Sequence, residues 1–128
     1  MTVREIGIFG SSGFAREVAD IAITLGYRPF FIAQNKRSAE NISESDVILE
    51  SEITKFKFPA YAIGVGDNRV RKTIFQKFSK KLHFPNLVHP NTSFGMYRPP
   101  DMTLCQGTII CSGTIITNSI IIGSFSIF

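Results

Sequence analysis

The last quarter of the chain repeats every six residues, and this period restricts the possible folds more than any other feature. Counting in sixes gives a large apolar residue at every step: Leu104, Ile110, Ile116, Ile122 and Phe128. A small residue follows each of the first four: Cys105, Cys111, Thr117 and Gly123. An α-helix repeats every 3.6 residues and a strand every two, so neither explains this period. A chain wound as a three-sided coil does explain it, with one bulky side chain per hexad pointing into the axis. The pattern therefore predicts a parallel β-helix rather than an ordinary isoleucine-rich strand pair.

Composition and charge set the broad class of protein. The chain has 128 residues, 44% of them hydrophobic, which is typical of one globular domain or of one domain plus part of a second. The net charge of +4 is compatible with a small anionic ligand. The interleaved aromatic and basic residues typical of nucleic-acid binding are missing, so we expect no nucleic-acid partner. No apolar run is long enough to span a membrane and no signal-peptide pattern begins the chain, so cytoplasm is the expected location.

The cysteines and histidines do not indicate a reactive centre. Cys105 and Cys111 occupy equivalent positions in neighbouring hexads, and we interpret both as small core residues rather than as a disulfide or a zinc site. His83 and His89 have no acidic or nucleophilic residue beside them, and structural or surface roles are expected for both. The sequence therefore predicts no metal site and assigns no catalytic residue.

The first third of the chain is typical of a nucleotide-binding sheet. Residues 4–10 and 29–33 are predicted strands, and residues 14–25 carry apolar side chains at helical spacing, with Gly26 as the expected end of the helix. A strand, a glycine-rich turn, a helix and a second strand within about thirty residues indicate the beginning of a doubly wound parallel sheet.

A second strand and helix follow. Residues 59–66 predict a buried strand, and Asp67 and Asn68 are candidate caps for the next helix. That helix carries apolar residues four apart, which we expect to be buried: Val70, Ile74, Phe78 and Leu82. Its basic residues are expected to form a solvated face: Arg69, Arg71, Lys72, Lys77, Lys80 and Lys81. Residues 84–90 are a predicted last strand that leads out of the sheet, and residues 91–103 form a junction.

Three loops at the predicted carboxyl edge of the sheet carry the candidate chemistry, and the third of them contains Gly64, Gly66, Asp67 and Asn68. The spacing of Gly7, Gly10 and Gly13 at a strand-to-helix turn is typical of a backbone that approaches a phosphate at a helix N-terminus. Gln34 and Asn35 follow the second strand, where a ribose or base would lie. A dinucleotide site normally has an acidic residue there, so these residues argue against NAD.

Three ordered motifs, at residues 10–22, 62–72 and 84–90, carry a resemblance to a known family. Together with the hexads, they resemble the bacterial sugar acetyltransferases of the PglD/NeuD type, which modify UDP-linked 4-amino-sugars or sialic acids. The resemblance implies an α/β fold: a Rossmann-like domain (residues 1–90) that binds a nucleotide-sugar, followed by the first coils of a left-handed β-helix (residues 91–128). It also implies acetyl-CoA as cosubstrate, a UDP-linked amino-sugar as ligand and a homotrimer.

The resemblance also implies which residues form the binding site. The nucleotide-sugar would be contacted by three short segments: Gly10, Ser11, Ser12, Gly13 and Phe14; Gln34 and Asn35; Gly66, Asp67 and Asn68. This sequence departs from the family at Phe14, often histidine or glycine there, and at Gln34 and Asn35, often aspartates. The family's catalytic histidine and later acetyl-CoA-binding coils are expected beyond Phe128, so the chain is expected to be truncated and to retain nucleotide-sugar binding alone.

Two alternatives remain open at the level of sequence. One is a non-catalytic module that binds a nucleotide-sugar or assembles oligomers and ends naturally at Phe128. The other is an NAD-dependent sugar epimerase or reductase, which shares the glycine loop. The second normally needs a catalytic Tyr-x-x-x-Lys, and no tyrosine of this chain is followed by lysine at that distance.

Overall fold

The computed structural model describes residues 3–39, 42–94, 103–104, 106–116, 121–122 and 124–128. Its amino-terminal part is a parallel sheet of four strands: β1 (Arg4–Phe9), β2 (Tyr27–Ala33), β3 (Val47–Leu49) and β4 (Ala60–Ile63). The strands lie side by side in the order β3-β2-β1-β4, and all three neighbouring pairs are parallel. Helix α1 (Gly13–Thr24) joins β1 to β2, and helix α2 (Asn68–Phe78) follows β4. The predicted Rossmann-like α/β fold is confirmed.

Helix α1 forms and ends as its sequence predicts. Its buried face contains Ala15, Val18, Ala19, Ile21 and Ala22, which recur at helical spacing and pack against the sheet. The helix stops because Gly26 adopts a positive φ of 92°, a conformation that glycine enters without a steric penalty. The predicted glycine stop is therefore confirmed.

Helix α2 begins as predicted, and its predicted apolar face is buried at Ile74 and Phe78 but departs from the prediction at Val70 and Arg71. The Asp67 carboxylate accepts hydrogen bonds from the amides of Arg69 and Val70, which confirms the predicted cap. Ile74 is buried as expected, but Val70 is 42% exposed while Arg71 is only 6% exposed. The predicted burial of Val70 and the predicted solvation of Arg71 are both wrong, because Arg71 finds backbone acceptors inside the protein that a four-residue apolar spacing does not reveal.

An aromatic cluster fills the space between the sheet, helix α2 and the carboxyl-terminal part of the chain. The Phe9 ring is tilted against the rings of Phe78 and Phe84, with centroids 4.9 and 6.2 Å away, and the Phe84 and Phe125 rings meet edge to face at 5.1 Å. All four rings are buried. The cluster therefore joins the sheet to the hexad region through one continuous apolar core.

The hexad region forms short parallel strands: β5 (Leu87–Val88), β6 (Ser93–Phe94), β7 (Thr103–Leu104), β8 (Ile109–Ile110), β9 (Ile115–Ile116) and β10 (Ile121–Ile122). The last four begin at six-residue intervals. Strand β10 pairs with β7, eighteen residues earlier, and a bridge joins Ile127 to Ile109 at the same offset. Eighteen residues are three hexads, or one turn of a three-sided coil. The left-handed sense of the β-helix, which the resemblance implies, stays a prediction. Strand β5 of the predicted segment 84–90 pairs with β8, outside the four-stranded sheet.

The hexad side chains depart in part from the predicted rule of one inward residue per face. Ile109 and Ile110 are both buried, whereas Phe128 is 49% exposed. Ile109 is buried because it packs into the cluster that the sheet forms with α1 and Leu87. Cys111 is a free, half-buried thiol packed against that cluster, as a core residue should be, and Cys105 lies outside the described residues.

Candidate functional site

The strand order places a crevice at the carboxyl ends of β1 and β4. These strands are neighbours although β4 is the last of the four sheet strands in the sequence, so the strand order reverses its direction at this point. The exit of β1 lies against both neighbouring strands: the Gly64 amide after β4 donates to the Phe9 carbonyl at 2.8 Å, and the Gly10 amide after β1 donates to the Ile32 carbonyl of β2 at 2.9 Å. Ligands of open parallel sheets bind at such a point.

The glycines of the two loops have different reasons for being glycine. Gly10 has a φ of 114°, and a Cβ there would lie 2.8 Å from the Gly64 carbonyl oxygen. A Cβ on Gly64 would lie 2.7 Å from Ile8. Gly13 and Gly66, by contrast, have ordinary φ values and open space around them. Gly10 and Gly64 are therefore needed for the fold, while Gly13 and Gly66 leave backbone open to an approaching molecule.

A cavity of about 220 Å³ opens beside these loops. Four of the predicted site residues line it: Gly10, Ser11, Gln34 and Asn35. The loop after β1 and the loop after β2 are thus brought together at one cavity, although they are separated by all of helix α1.

Hydrogen bonds fix these two loops to each other. The Ser11 hydroxyl donates to the Ser38 carbonyl at 2.6 Å, and the Asn35 side-chain oxygen accepts from the Ser38 amide at 2.9 Å. The Ser38 hydroxyl in turn donates to the Asn35 carbonyl at 2.9 Å. The Asn35 side chain therefore shapes the rim of the cavity, which leaves Gln34 as the more available side chain at the end of β2.

The other predicted site residues do not line this cavity. Ser12 is the N-cap residue of α1 and makes no side-chain cap bond, and Gly13 is the first residue of the helix. Phe14 is half-buried and packs against the core that α1 forms with the sheet. Asp67 is engaged in capping α2, and Asn68 lines a separate surface hollow next to Arg71. Whether these residues contact a ligand stays a prediction.

Several residues that line the cavity were missed by the sequence reasoning. Val65, Val70 and Ile74 supply an apolar wall, and Glu50 supplies a carboxylate. Val70 was missed because its spacing made it look like a core residue. Glu50 was missed because it follows a three-residue strand in the least patterned part of the sequence; its position directly after the apolar run 47–49 is the signal that would have found it.

A buried guanidinium ties the loop after β4 to the hexad region. Arg71 donates to the carbonyls of Ile63 at 2.7 Å and Val65 at 3.1 Å, and also to the carbonyl of Phe125. Burial lowers the pKa of Arg71, because water that would stabilise its charge is excluded. Phe125 itself has a positive φ of 59°, a rare conformation for a bulky residue. Arg71 therefore fixes an unusual turn of the hexad region against the edge of the site.

The described residues contain neither a metal-binding cluster nor a membrane-spanning helix. Within the described residues, no three His, Cys, Asp or Glu side chains are placed to hold a metal ion. No helix in the same part of the chain is long and apolar enough to cross a membrane.

Together, the β3-β2-β1-β4 order, the glycine turn and the cavity at the carboxyl edge define a Rossmann-like α/β domain. The model of the PglD N-terminal domain family matches residues 5–78, more than half of the chain. The chain belongs to this family. No curated protein sequence matches it.

Solved structures share the fold over nearly the whole chain. The acetyltransferase domain of PglB from Neisseria gonorrhoeae, in complex with acetyl coenzyme A, superposes with a TM-score of 0.69 and 19% identity, covering 99% of this chain and 65% of that one. A histidine-to-asparagine variant of perosamine N-acetyltransferase from Caulobacter crescentus, in complex with CoA and GDP-perosamine, gives 0.80 and 20%, covering 98% and 60%. PerB from the same organism, with the same two ligands, gives 0.72 and 17%, covering 98% and 63%. The chain therefore spans less than two thirds of the length of these structures.

Proposed function

We propose that this chain binds a nucleotide-linked amino-sugar in the cavity at the carboxyl edge of its sheet. The chain would do so as part of an acetyltransferase that uses acetyl-CoA. The observation that carries the proposal is the convergence of Gly10 and Ser11 with Gln34 on one cavity at the strand-order reversal. This is the place where a Rossmann-like sheet offers backbone amides and a helix N-terminus to a phosphorylated ligand.

The beginning of helix α1 suits a diphosphate. Its first turn contains no acidic residue, and its N-cap side chain makes no cap hydrogen bond. The space around Gly13 is open, so a phosphate oxygen has room to approach the first amides of the helix. The partial positive charge of a helix N-terminus then favours the anion. The net charge of +4 acts in the same direction over longer distances.

Family membership and shared fold support the chemistry proposed for the whole protein. Two structures with this fold hold GDP-perosamine together with CoA, and another holds acetyl-CoA. In such a transfer the sugar amine would attack the thioester carbonyl, the C–S bond would break, and the amine would lose a proton. We assign no described residue to acetyl-CoA. We also propose that the chain divides at about residue 90 and that the hexad region assembles as a trimer.

Thermal denaturation with added UDP- and GDP-linked sugars tests the binding proposal. We expect millimolar ligand to raise the melting temperature by mass action, with the parent diphosphate giving most of the effect. Absence of any shift with either nucleotide would contradict the proposal.

A charge placed at Gly13 sharpens this test. Gly13→Glu is accommodated by the open space and places a favourable charge at the N-terminus of α1, so the variant should fold, but its carboxylate should repel a diphosphate. The matched control is Ile23→Glu, which adds the same charge at a 56% exposed position near the other end of the helix. We expect only Gly13→Glu to lose the nucleotide-dependent shift; equal shifts in the two variants would show that the diphosphate binds elsewhere.

A further inference from the structure

Glu50 is a carboxylate in the wall of the candidate nucleotide cavity. It begins a 3-10 turn (Glu50–Lys55) directly after β3, so the end of that strand fixes its backbone at the carboxyl edge of the sheet. Its side chain is 23% exposed, and one oxygen, Oε2, accepts from Lys77 Nζ at 3.3 Å. Lys77 lies in the last turn of α2. Glu50 is thus held between the sheet edge and α2, where it lines the cavity.

The strand order separates this carboxylate from the proposed phosphate position. Strand β3 is two strands away from β1, whose exit leads to the N-terminus of α1. Neighbouring strands lie about 4.8 Å apart, so Glu50 stands on the order of 10 Å from the β1 exit. A diphosphate at α1 would therefore extend its nucleoside past Gln34 toward Glu50. The nucleoside would lie against the apolar wall that the exposed Val70 helps to form.

We infer that Glu50 is the hydrogen-bond acceptor for the nucleoside half of the ligand, an inference that rests on the proposed function. An ionised carboxylate only accepts hydrogen bonds, and the ribose hydroxyls and the base N–H groups are the donors that a nucleoside offers. The end of β2, where a ribose-binding acid is usual, carries Gln34 in this chain. Glu50, one strand further along the edge, supplies the missing carboxylate.

Lys77 gives this carboxylate its orientation. The ion pair occupies Oε2 and neutralises part of the charge that would otherwise repel an anionic ligand. The nucleoside donors would then meet the Oε1 side of the group. The Lys77 side chain is 58% exposed, so it can remain solvated while it holds Glu50 in place.

The sign of the effect on affinity makes the inference testable. Calorimetric titration of the whole chain with UDP, GDP, 2′-deoxy-UDP and pyrophosphate would compare the wild type with Glu50→Gln and with the control Glu52→Gln. Glu52 stands in the same turn, pairs with Lys55, and does not line the cavity. We expect Glu50→Gln to weaken UDP binding about tenfold through loss of a charge-assisted hydrogen bond. We expect Glu52→Gln to change it less than twofold, and pyrophosphate to bind Glu50→Gln as well as or better than the wild type.

The outcomes separate failure of this inference from failure of the proposed function. If the wild type binds neither UDP nor GDP, the proposed function fails. If the wild type binds UDP and Glu50→Gln binds it equally well or more tightly, Glu50 is only a nearby negative charge and the inference is overturned. If Glu50→Gln binds more weakly and no longer discriminates against the 2′-deoxy ligand, the donor is the ribose hydroxyl. If it binds more weakly with unchanged discrimination, another donor of the nucleoside meets Glu50. Unfolding temperatures without ligand confirm that both variants are folded.

Discussion

Replacement of Arg71 by methionine tests the buried link between the site and the hexad region. Methionine fills most of the space of the arginine stem but has no donor, so three backbone carbonyls lose their partner. These belong to Ile63 and Val65 at the exit of β4 and to Phe125 in the hexad region. The substitution therefore removes hydrogen bonds with little loss of apolar packing.

The size of the effect follows from which carbonyls can be solvated. The bond to Val65 is long, at 3.1 Å, and only partly buried, so water can replace it. The bonds to Ile63 and Phe125 are buried. A buried acceptor left unpaired costs about 1–3 kcal/mol, and removal of a buried cation recovers part of this, so we expect a net loss of about 3 kcal/mol. For a chain of this size, that loss lowers the melting temperature by about 10 °C.

Urea denaturation followed by circular dichroism measures this change. Arg71→Lys should lose less, since an ammonium keeps the charge and some of the donors but not the planar fork. The matched control is Lys72→Met, which makes the same replacement at the exposed neighbouring position and should change stability by less than about 0.5 kcal/mol. Equal stabilities of Arg71→Met and Lys72→Met would refute this reasoning. They would indicate that Arg71 belongs to the solvated basic face that the sequence predicts.

Three further experiments test local parts of the structure. Gly10→Ala should destabilise by about 2 kcal/mol in urea denaturation because of its positive φ and the close Gly64 carbonyl, whereas Gly66→Ala should be nearly neutral; similar values for the two would contradict the tight loop. Asp67→Ala should lower the free energy of unfolding by about 1 kcal/mol through loss of the α2 cap. Asp67→Asn, which keeps a capping oxygen, should lose much less, and thermal melting measures both changes. Burial and the charge of Glu17 raise the pKa of the Cys111 thiol, so its alkylation by iodoacetamide should be slow at neutral pH and accelerate as the pH rises. Glu17→Gln should lower that pKa and speed the alkylation, whose rate is measured by mass spectrometry of the Cys111 peptide. An unchanged rate would show that the charge of Glu17 does not affect the thiol.

The elements that the sequence predicts best are those in which one face is uniformly apolar. Helix α1 and strands β1 and β4 follow their patterns because each packs against the core without polar side chains intervening. The six-residue spacing of the late strands could be read directly, since backbone pairing in a three-sided coil imposes that period on the chain itself.

The features that sequence reasoning missed depend on contacts between distant segments. The buried Arg71 guanidinium donates to the carbonyl of Phe125, 54 residues later, as well as to two carbonyls near the end of β4. Val70 is exposed because it lies on the side of α2 that lines the cavity and not on the side that packs into the core. Glu50 reaches the cavity because β3 is added next to β2 at the sheet edge. No local pattern of spacing contains this information.

The candidate site was predictable in its backbone and less so in its side chains. The glycine turn and the residues after β2 could be located, because the ends of parallel strands meet at one edge. The role of Ser11 in fixing the rim through Ser38 could not, since it rests on a hydrogen bond between two loops 27 residues apart.

The most direct test of nucleotide-sugar binding is a map of amide chemical-shift changes in the isotope-labelled chain as UDP or GDP is added. The account predicts saturable changes at Gly10, Ser11 and Gln34, extending to the first turn of α1 and to Glu50, with little change on the exposed face of α2 around Lys72. No changes at millimolar nucleotide, or changes confined to surfaces away from the carboxyl edge of the sheet, would contradict it.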